Sequence, residues 1–243
     1  YKPIYVTAGR WSNHPNTQPF SENPEHSVTE PTAYNNFEAK FQLSFKTKIA
    51  ESILFGKGDI WIGYTQIAHW QIYNTDISRA FRELNYEPEV MLTFPLNLSF
   101  AGLNVKMAGV SFNHQSNGRD LPRSRSWNRI IFNVAMESKH LQLYISPWIR
   151  LPDDEDENPM ITDYIGNGRV TAIYRLKKHT FYGILTNSFS FNDNHGSLQF
   201  NYLYPLTEDL NIHAQLFTGY GETLIDYNHY QNTIGLGVSF TNW

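Results

Sequence analysis

The chain of 243 residues contains no cysteine, which excludes a disulfide framework, thiol catalysis and thiolate metal sites. It has no sustained basic run and a net charge of -4, so no nucleic-acid partner is expected. No stretch approaches about 18 consecutive apolar residues, which argues against a transmembrane helix. A membrane barrel stays open, because its strands alternate and keep mean hydropathy low. The opening segment YKPIYVTAGRW lacks the charged start and apolar core of a signal peptide, so the chain reads as a mature or trimmed form.

Charged residues make up only 17% of the chain while aromatics reach 15%, a balance that favours β structure over helix. Period-two alternation is the dominant pattern. Phe37, Ala39, Phe41, Leu43 and Phe45 interleave with Glu38, Lys40, Gln42, Ser44 and Lys46, which makes one face apolar and the other polar. The same scheme recurs in Leu141–Ile149, Val170–Leu176, Leu198–Tyr204, Leu210–Leu216 and Ile234–Phe240. Twelve strands are expected near 3–10, 36–49, 58–71, 83–96, 104–116, 126–137, 140–150, 164–177, 180–190, 197–205, 209–220 and 231–241. Connections alternate between short ones, such as those near 138 and 178, and long ones at 11–35, 71–82, 117–125, 151–163 and 219–230. An even strand number with short turns on one rim and long loops on the other is the pattern of a transmembrane barrel.

A soluble sandwich or barrel would also alternate. Two features favour the membrane: the polar rows carry bulky groups (Lys40, Trp148, Arg150, Arg169 and Arg175) suited to a polar lumen, and Tyr and Trp crowd the strand ends. The fold class expected is therefore all-β, a twelve-stranded antiparallel transmembrane β-barrel formed as a single domain by residues 1–243.

The segment AGVSFNHQSNGRDLPRSRSWNRIIFNV, 108–134, carries the candidate chemistry. The row Ala108, Val110, Phe112 ends in His114 and Ser116, and Asn128 shares its row with Ile130, Phe132 and Val134. Pairing Val110 with Phe132 and Phe112 with Ile130 in a hairpin sets His114 opposite Asn128, with Ser116 diagonal to them. Opposed Cβ atoms lie about 5 Å apart, near enough for one hydrogen bond. A serine hydroxyl is a weak nucleophile that needs an adjacent imidazole to take its proton, and the imidazole needs an acceptor to fix its tautomer. An amide oxygen can serve, and near lipid it is less costly than an unpaired carboxylate. A serine near a histidine also occurs by chance. The convergence of three complementary groups on one outward apolar patch is what distinguishes this pair.

The block FNHQSNGRDLPRSRSWNR, 112–129, with its His-x-Ser-Asn-Gly and Ser-Arg-Ser-Trp-Asn-Arg elements, resembles the outer-membrane phospholipase A family. FRELNYEP (81–88), NPMITDYIG (158–166) and GYGETLIDYN (219–228) extend the likeness from about residue 36 onward, while the first 35 residues match poorly. The resemblance implies a bacterial outer-membrane barrel with its active site on the exterior, hydrolysing acyl esters of membrane phospholipids with phospholipase A1, A2 and lysophospholipase activity. By position, Ser116 is the implied nucleophile, His114 the base, Asn128 the orienting residue and Gly118 an oxyanion donor beside a calcium-bound water. The implied Ca2+ ligands are the Arg119 carbonyl, Ser124 and the carbonyl of Ser78 of the partner subunit. The acidic run DDEDE at 153–157 reads first as a solvated loop, and by resemblance it offers Asp156, or Glu157, to a second calcium site. Asp120 directly follows Arg119 where the family's acid lies one residue later, which leaves its metal role open.

The resemblance further implies a calcium-dependent homodimer. Gln66 is a lone amide on the outward row Ile62, Tyr64, Gln66, Ala68, and an amide facing lipid is better satisfied across an interface, so Gln66 with Leu43, Phe45 and Tyr64 is the expected dimer face. At the C-terminus Phe240 is in phase with the apolar row and Trp243 is not, so an aromatic residue at a position 244 is expected to complete the phase. A passive diffusion barrel and an adhesin are the competing functions, and neither accounts for the outward triad.

Overall fold

The structure, a computed structural model, describes residues 1–54, 56–191 and 193–240. Among these, twelve strands close into one antiparallel barrel in which each strand pairs with its sequence neighbours and β1 (Tyr5–Ser12) pairs with β12 (Gln231–Ser239). Between them run β2 (Phe37–Ala50), β3 (Asp59–Trp70), β4 (Phe81–Phe100), β5 (Leu103–Ser116), β6 (Ser126–Glu137), β7 (Leu141–Leu151), β8 (Gly168–Leu176), β9 (His179–Asn187), β10 (Gly196–Pro205) and β11 (Asn211–Gly219). Closure leaves no unpaired sheet edge, the condition a β structure must meet in lipid. The expected strands are all present. The question of a C-terminal aromatic phase concerns residues from Trp243 onward and lies outside the described residues.

The largest departures from the expected strand bounds are at the start of β8 and the end of β4. β8 begins at Gly168, not at 164, because residues Ile161–Ile165 form α1, a single helical turn whose Ile161 is fully buried with Trp127, Ile131, Trp148, Leu224 and Tyr227. Gly166 ends that turn at φ +84°, and a Cβ there would come within 2.0 Å of the Asn187 carbonyl oxygen, so no other residue fits. The strand expected from 164 is thus shortened at its start by a packing contact. β4 is also longer than expected, reaching Phe100 in a hairpin with β5.

Parity sorts the two faces. Phe45, Phe112, Phe132, Ile149, Leu185, Leu216 and Leu236 stand exposed on the outside, while the alternate residues Lys40, Asn113, Arg129, Trp148, His213 and Gln215 are buried inside. An apolar exterior over a polar interior inverts the soluble rule and matches a barrel set in lipid. Ala68 departs from its row. It is fully buried, flanked across the strands by Phe41 and Leu84, whose larger side chains cover it.

The lumen is filled. Arg10 pairs with Glu38 (2.6 Å) and with Glu222, Lys40 with Glu222 (3.0 Å), and Arg82 with Glu38 (2.9 Å) and Asp226 (2.8 Å). Glu222 and Asp226 come from the 220–230 loop, which folds inward and buries Thr223, Leu224, Ile225 and Tyr227 as well. Burial alone would push these two loop carboxyls up. The adjacent Arg10 and Lys40 outweigh it at Glu222 and Arg82 outweighs it at Asp226, so both lie below the usual carboxylate range.

Candidate active site

The β5–β6 hairpin pairs Val110 with Phe132, Phe112 with Ile130, His114 with Asn128 and Ser116 with Ser126, the register that the apolar rows dictate. His114 and Asn128 sit on the lipid-facing side at the long-loop rim. Across the next pairing Ser116 faces Tyr86. His114 Nδ1 lies 2.8 Å from Asn128 Oδ1. A carboxamide oxygen accepts only, so Nδ1 carries the proton and donates, which leaves Nε2 as the basic nitrogen. All three side chains are half-buried. Among the described residues Ser116 Oγ has no hydrogen-bond partner, so its rotamer is set by packing alone.

Immediately after Ser116 the chain turns into the loop 117–125. Buried Asn117 holds both ends of it: its Oδ1 accepts from Arg125 N (3.0 Å) and Arg119 N (3.3 Å), and its Nδ2 donates to the Arg123 carbonyl (2.8 Å). Gly118 adopts φ +60°, and a Cβ there would meet Tyr86 Cε2 at 3.1 Å. Both the left-handed backbone and the close ring select glycine. Its N–H donates to no group among the described residues and is free to meet an oxyanion. The Arg119 guanidinium donates to the carbonyls of Phe81 (2.8 Å) and Arg82 (3.2 Å), tying the loop to the start of β4.

The 13–36 loop braces this rim. Buried Arg125 donates to the carbonyls of His26 (2.8 Å) and Phe20 (3.2 Å), and burial lowers its pKa despite nearby acids. Ser21 Oγ donates to the Glu157 carbonyl (2.7 Å), and Asn23 Nδ2 to the Asp156 carbonyl (3.0 Å). Sequence reasoning missed Asn117, Arg125 and this brace. The dipeptide Asn117-Gly118 after a strand was the available signal for Asn117, whereas nothing local marks Arg125 as buried.

The candidate calcium ligands are partly assembled. Ser124 Oγ donates to Glu157 Oε1, and Glu157 Oε2 is buried without a partner among the described residues. An orphaned carboxylate oxygen beside a hydroxyl fits a hard cation. Asp156 is placed differently: its Oδ1 accepts from Arg150 (2.5 Å) and Asn158 N (3.0 Å). Asp120 is exposed, and Ser78 is exposed on the 71–80 turn at φ +57°. No cluster of three His, Asp or Glu side chains with metal-binding geometry occurs among the described residues, so any site would draw on hydroxyl and carbonyl oxygens too.

The fold and this rim define an outer-membrane β-barrel with a Ser, His and Asn grouping on its lipid-facing exterior. The family described as Phospholipase A1 matches residues 1–240, and the chain belongs to that family. The match reaches residue 1, so the family likeness extends over the first 35 residues, which the motifs alone did not suggest. A Neisseria meningitidis protein provisionally named phospholipase A1 is 40% identical over 250 residues, covering 100% of this chain and 65% of its own length. The Escherichia coli phospholipase A1 is 35% identical over 201 residues, covering 83% of this chain and 68% of its own length. The chain therefore spans about two thirds of these relatives. Among solved structures, outer membrane phospholipase A from Escherichia coli superposes with a TM-score of 0.90 at 30% identity, covering 100% of this chain and 93% of that one. The Salmonella typhi outer membrane phospholipase, solved as a dimer with bound calcium, gives 0.88 at 31%, covering 100% and 91%. The chain is a barrel of the bacterial outer membrane.

Proposed function

We propose that this chain, acting as a single barrel domain, is a calcium-dependent phospholipase that hydrolyses acyl esters of membrane phospholipids at its outer surface. The observation that carries the reading is the 2.8 Å contact of His114 with Asn128 on a lipid-facing row, two residues from Ser116. Polar groups there have no structural use, and a substrate dissolved in the bilayer reaches them without entering a cleft.

Ser116 Oγ attacks the ester carbonyl carbon while His114 Nε2 takes its proton. Asn128 Oδ1 accepts from Nδ1–H throughout and keeps the ring in register. The carbonyl oxygen, now negative, receives the Gly118 N–H. As the C–O bond to the glycerol breaks, His114 returns the proton to the departing lysophospholipid oxygen. Water, deprotonated by the same imidazole, then releases the fatty acid from Ser116. Bound Ca2+ would add positive charge beside the oxyanion. Ser124, Glu157 and the Arg119 carbonyl are the groups that would hold it, with the carbonyl of Ser78 of the partner subunit; Asp156 is engaged by Arg150 instead.

Dimerisation through β2 and β3 accompanies this reading. Leu43 pairs with Gln66 and Phe45 with Tyr64, so the four form one patch. Leu43 and Phe45 are exposed, the Phe45 and Tyr64 rings are 5.6 Å apart, and the long 3.4 Å contact from Tyr64 Oη leaves the Gln66 amide N–H groups for a partner. A passive diffusion barrel is disfavoured by the ion-paired lumen.

The test is phospholipid hydrolysis by the refolded chain in detergent micelles, with calcium or with chelator. Fatty-acid release that needs calcium and is lost in Ser116→Ala supports the reading. Release that survives Ser116→Ala removes the triad, and absence of hydrolysis under dimerising conditions favours the diffusion barrel.

A further inference from the structure

Directly beyond Gly118, on the water side of the rim, lies a groove of about 580 Å³ between residues 28–30 of the β1–β2 loop and residues 118–123. Both walls are fastened. Val28 N donates to the Pro19 carbonyl (2.8 Å), Gln18 Nε2 to the Thr29 carbonyl (2.9 Å), Arg123 N to the Asp120 carbonyl (2.9 Å) and Arg123 Nη2 to Thr32 Oγ1 (2.8 Å).

The lining carries both signs of charge. Glu30 and Asp120 face the groove, and among the described residues neither is in an ion pair. Arg119 and Arg123 line it too; their hydrogen bonds go to neutral oxygens, and among the described residues neither is in an ion pair. Two cations beside two free carboxylates complement a ligand that carries an anion and a cation a few atoms apart.

The position of the groove says what such a ligand is. An acyl chain lying on the exposed apolar exterior beside Phe112 and Ile149, with its ester at Ser116, sends the rest of the lipid up past Gly118 toward water. The groove is what it meets there. We propose that this groove is a head-group site, with Arg119 and Arg123 facing the phosphate and Glu30 facing a cationic amine, so that zwitterionic amine-bearing phospholipids are preferred over anionic ones. The inference rests on the phospholipase reading and adds to it a residue that sets substrate preference.

Glu30 is the residue to change, since it is exposed and lies outside the triad and the candidate calcium ligands. The full chain, refolded in mixed micelles at saturating calcium, is assayed on two lipids with identical acyl chains, one with an ethanolamine and one with a glycerol head group. The readout is the ratio of kcat/KM, with heat-modifiable gel mobility confirming that each variant is folded. Glu30→Gln is expected to lower the ethanolamine-to-glycerol ratio about two- to fivefold, the size of one exposed ion pair. Glu30→Lys is expected to lower it further, and raised salt is expected to shrink the wild-type preference by screening. A ratio unchanged in both variants, with hydrolysis still dependent on Ser116, overturns the head-group site and leaves the phospholipase reading standing. Failure of the wild type to hydrolyse either lipid overturns both.

Discussion

The two faces of the β5–β6 hairpin make opposite use of the same kinds of residue. On the lumen side, one residue out of phase with the catalytic candidates, the polar side chains are engaged with one another, although Arg129 Nε has no partner among the described residues. Arg129 Nη2 donates to Asn113 (2.6 Å) and Gln115 (3.1 Å), Trp127 Nε1 donates to Gln115 (2.9 Å), and the Arg129 guanidinium sits 4.0 Å from the Trp127 ring centre and 5.1 Å from that of Trp148. On the lipid side His114 and Asn128 share one hydrogen bond and Ser116 is left unengaged. Satisfied polar groups rigidify a strand pair, whereas unsatisfied ones are available to a substrate. The inner face holds the hairpin still and leaves the polar groups of the outer face available.

Substitutions on the two faces should therefore separate activity from stability. The largest effect is expected from Ser116→Ala, a loss of at least about 1000-fold in hydrolysis with an unchanged urea-unfolding midpoint. Next comes Arg129→Ala on the inner face. It removes the 3.4 Å contact to Glu87, which keeps Lys2 at 2.6 Å, and it empties the space between two tryptophans, so a stability loss of about 3 kcal/mol is expected by urea unfolding. Loss of activity in Arg129→Ala with unchanged unfolding would break the comparison. Asn128→Ala should cost up to about 100-fold in kcat through misplacement of the imidazole, again with little change in unfolding. Gln66→Ala, outside the hairpin, should weaken calcium-dependent dimerisation in micelles by about 1 kcal/mol, read by sedimentation. The smallest effect near neutrality belongs to the lumen carboxyls Glu222 and Asp226. Their folded pKa values lie below the unfolded ones, so their contribution is fully present above about pH 4 and fades only as pH falls through the folded values. Unfolding midpoints that drop between pH 7 and 5 in wild type but not in Glu222→Gln would contradict that pH window.

Much of this was legible in one dimension. Strand number, loop alternation and the pairing of His114 with Asn128 all follow from side-chain parity, a local property that needs no knowledge of distant residues. The failures have one cause. Residues 161–165 turn helical because Ile161 packs against Trp127 and Trp148 from other strands, and Ala68 is covered by cross-strand neighbours. The different surroundings of Asp156, held by Arg150, and Glu157, met by Ser124, are likewise set by contacts between segments. Adjacent acids have no distinguishing feature in the sequence itself.

Alternation along the chain was enough to set out the twelve strands and to put Ser116, His114 and Asn128 on the apolar rows, because period-two geometry assigns each side chain a face as soon as a strand forms. The inward fold of the 220–230 loop, the bracing of residues 117–125 by Asn117 and Arg125, and the meeting of residues 28–30 with 118–123 were decided only by the closed barrel. Those contacts join segments that are far apart in the chain, and no local pattern encodes a distance between them.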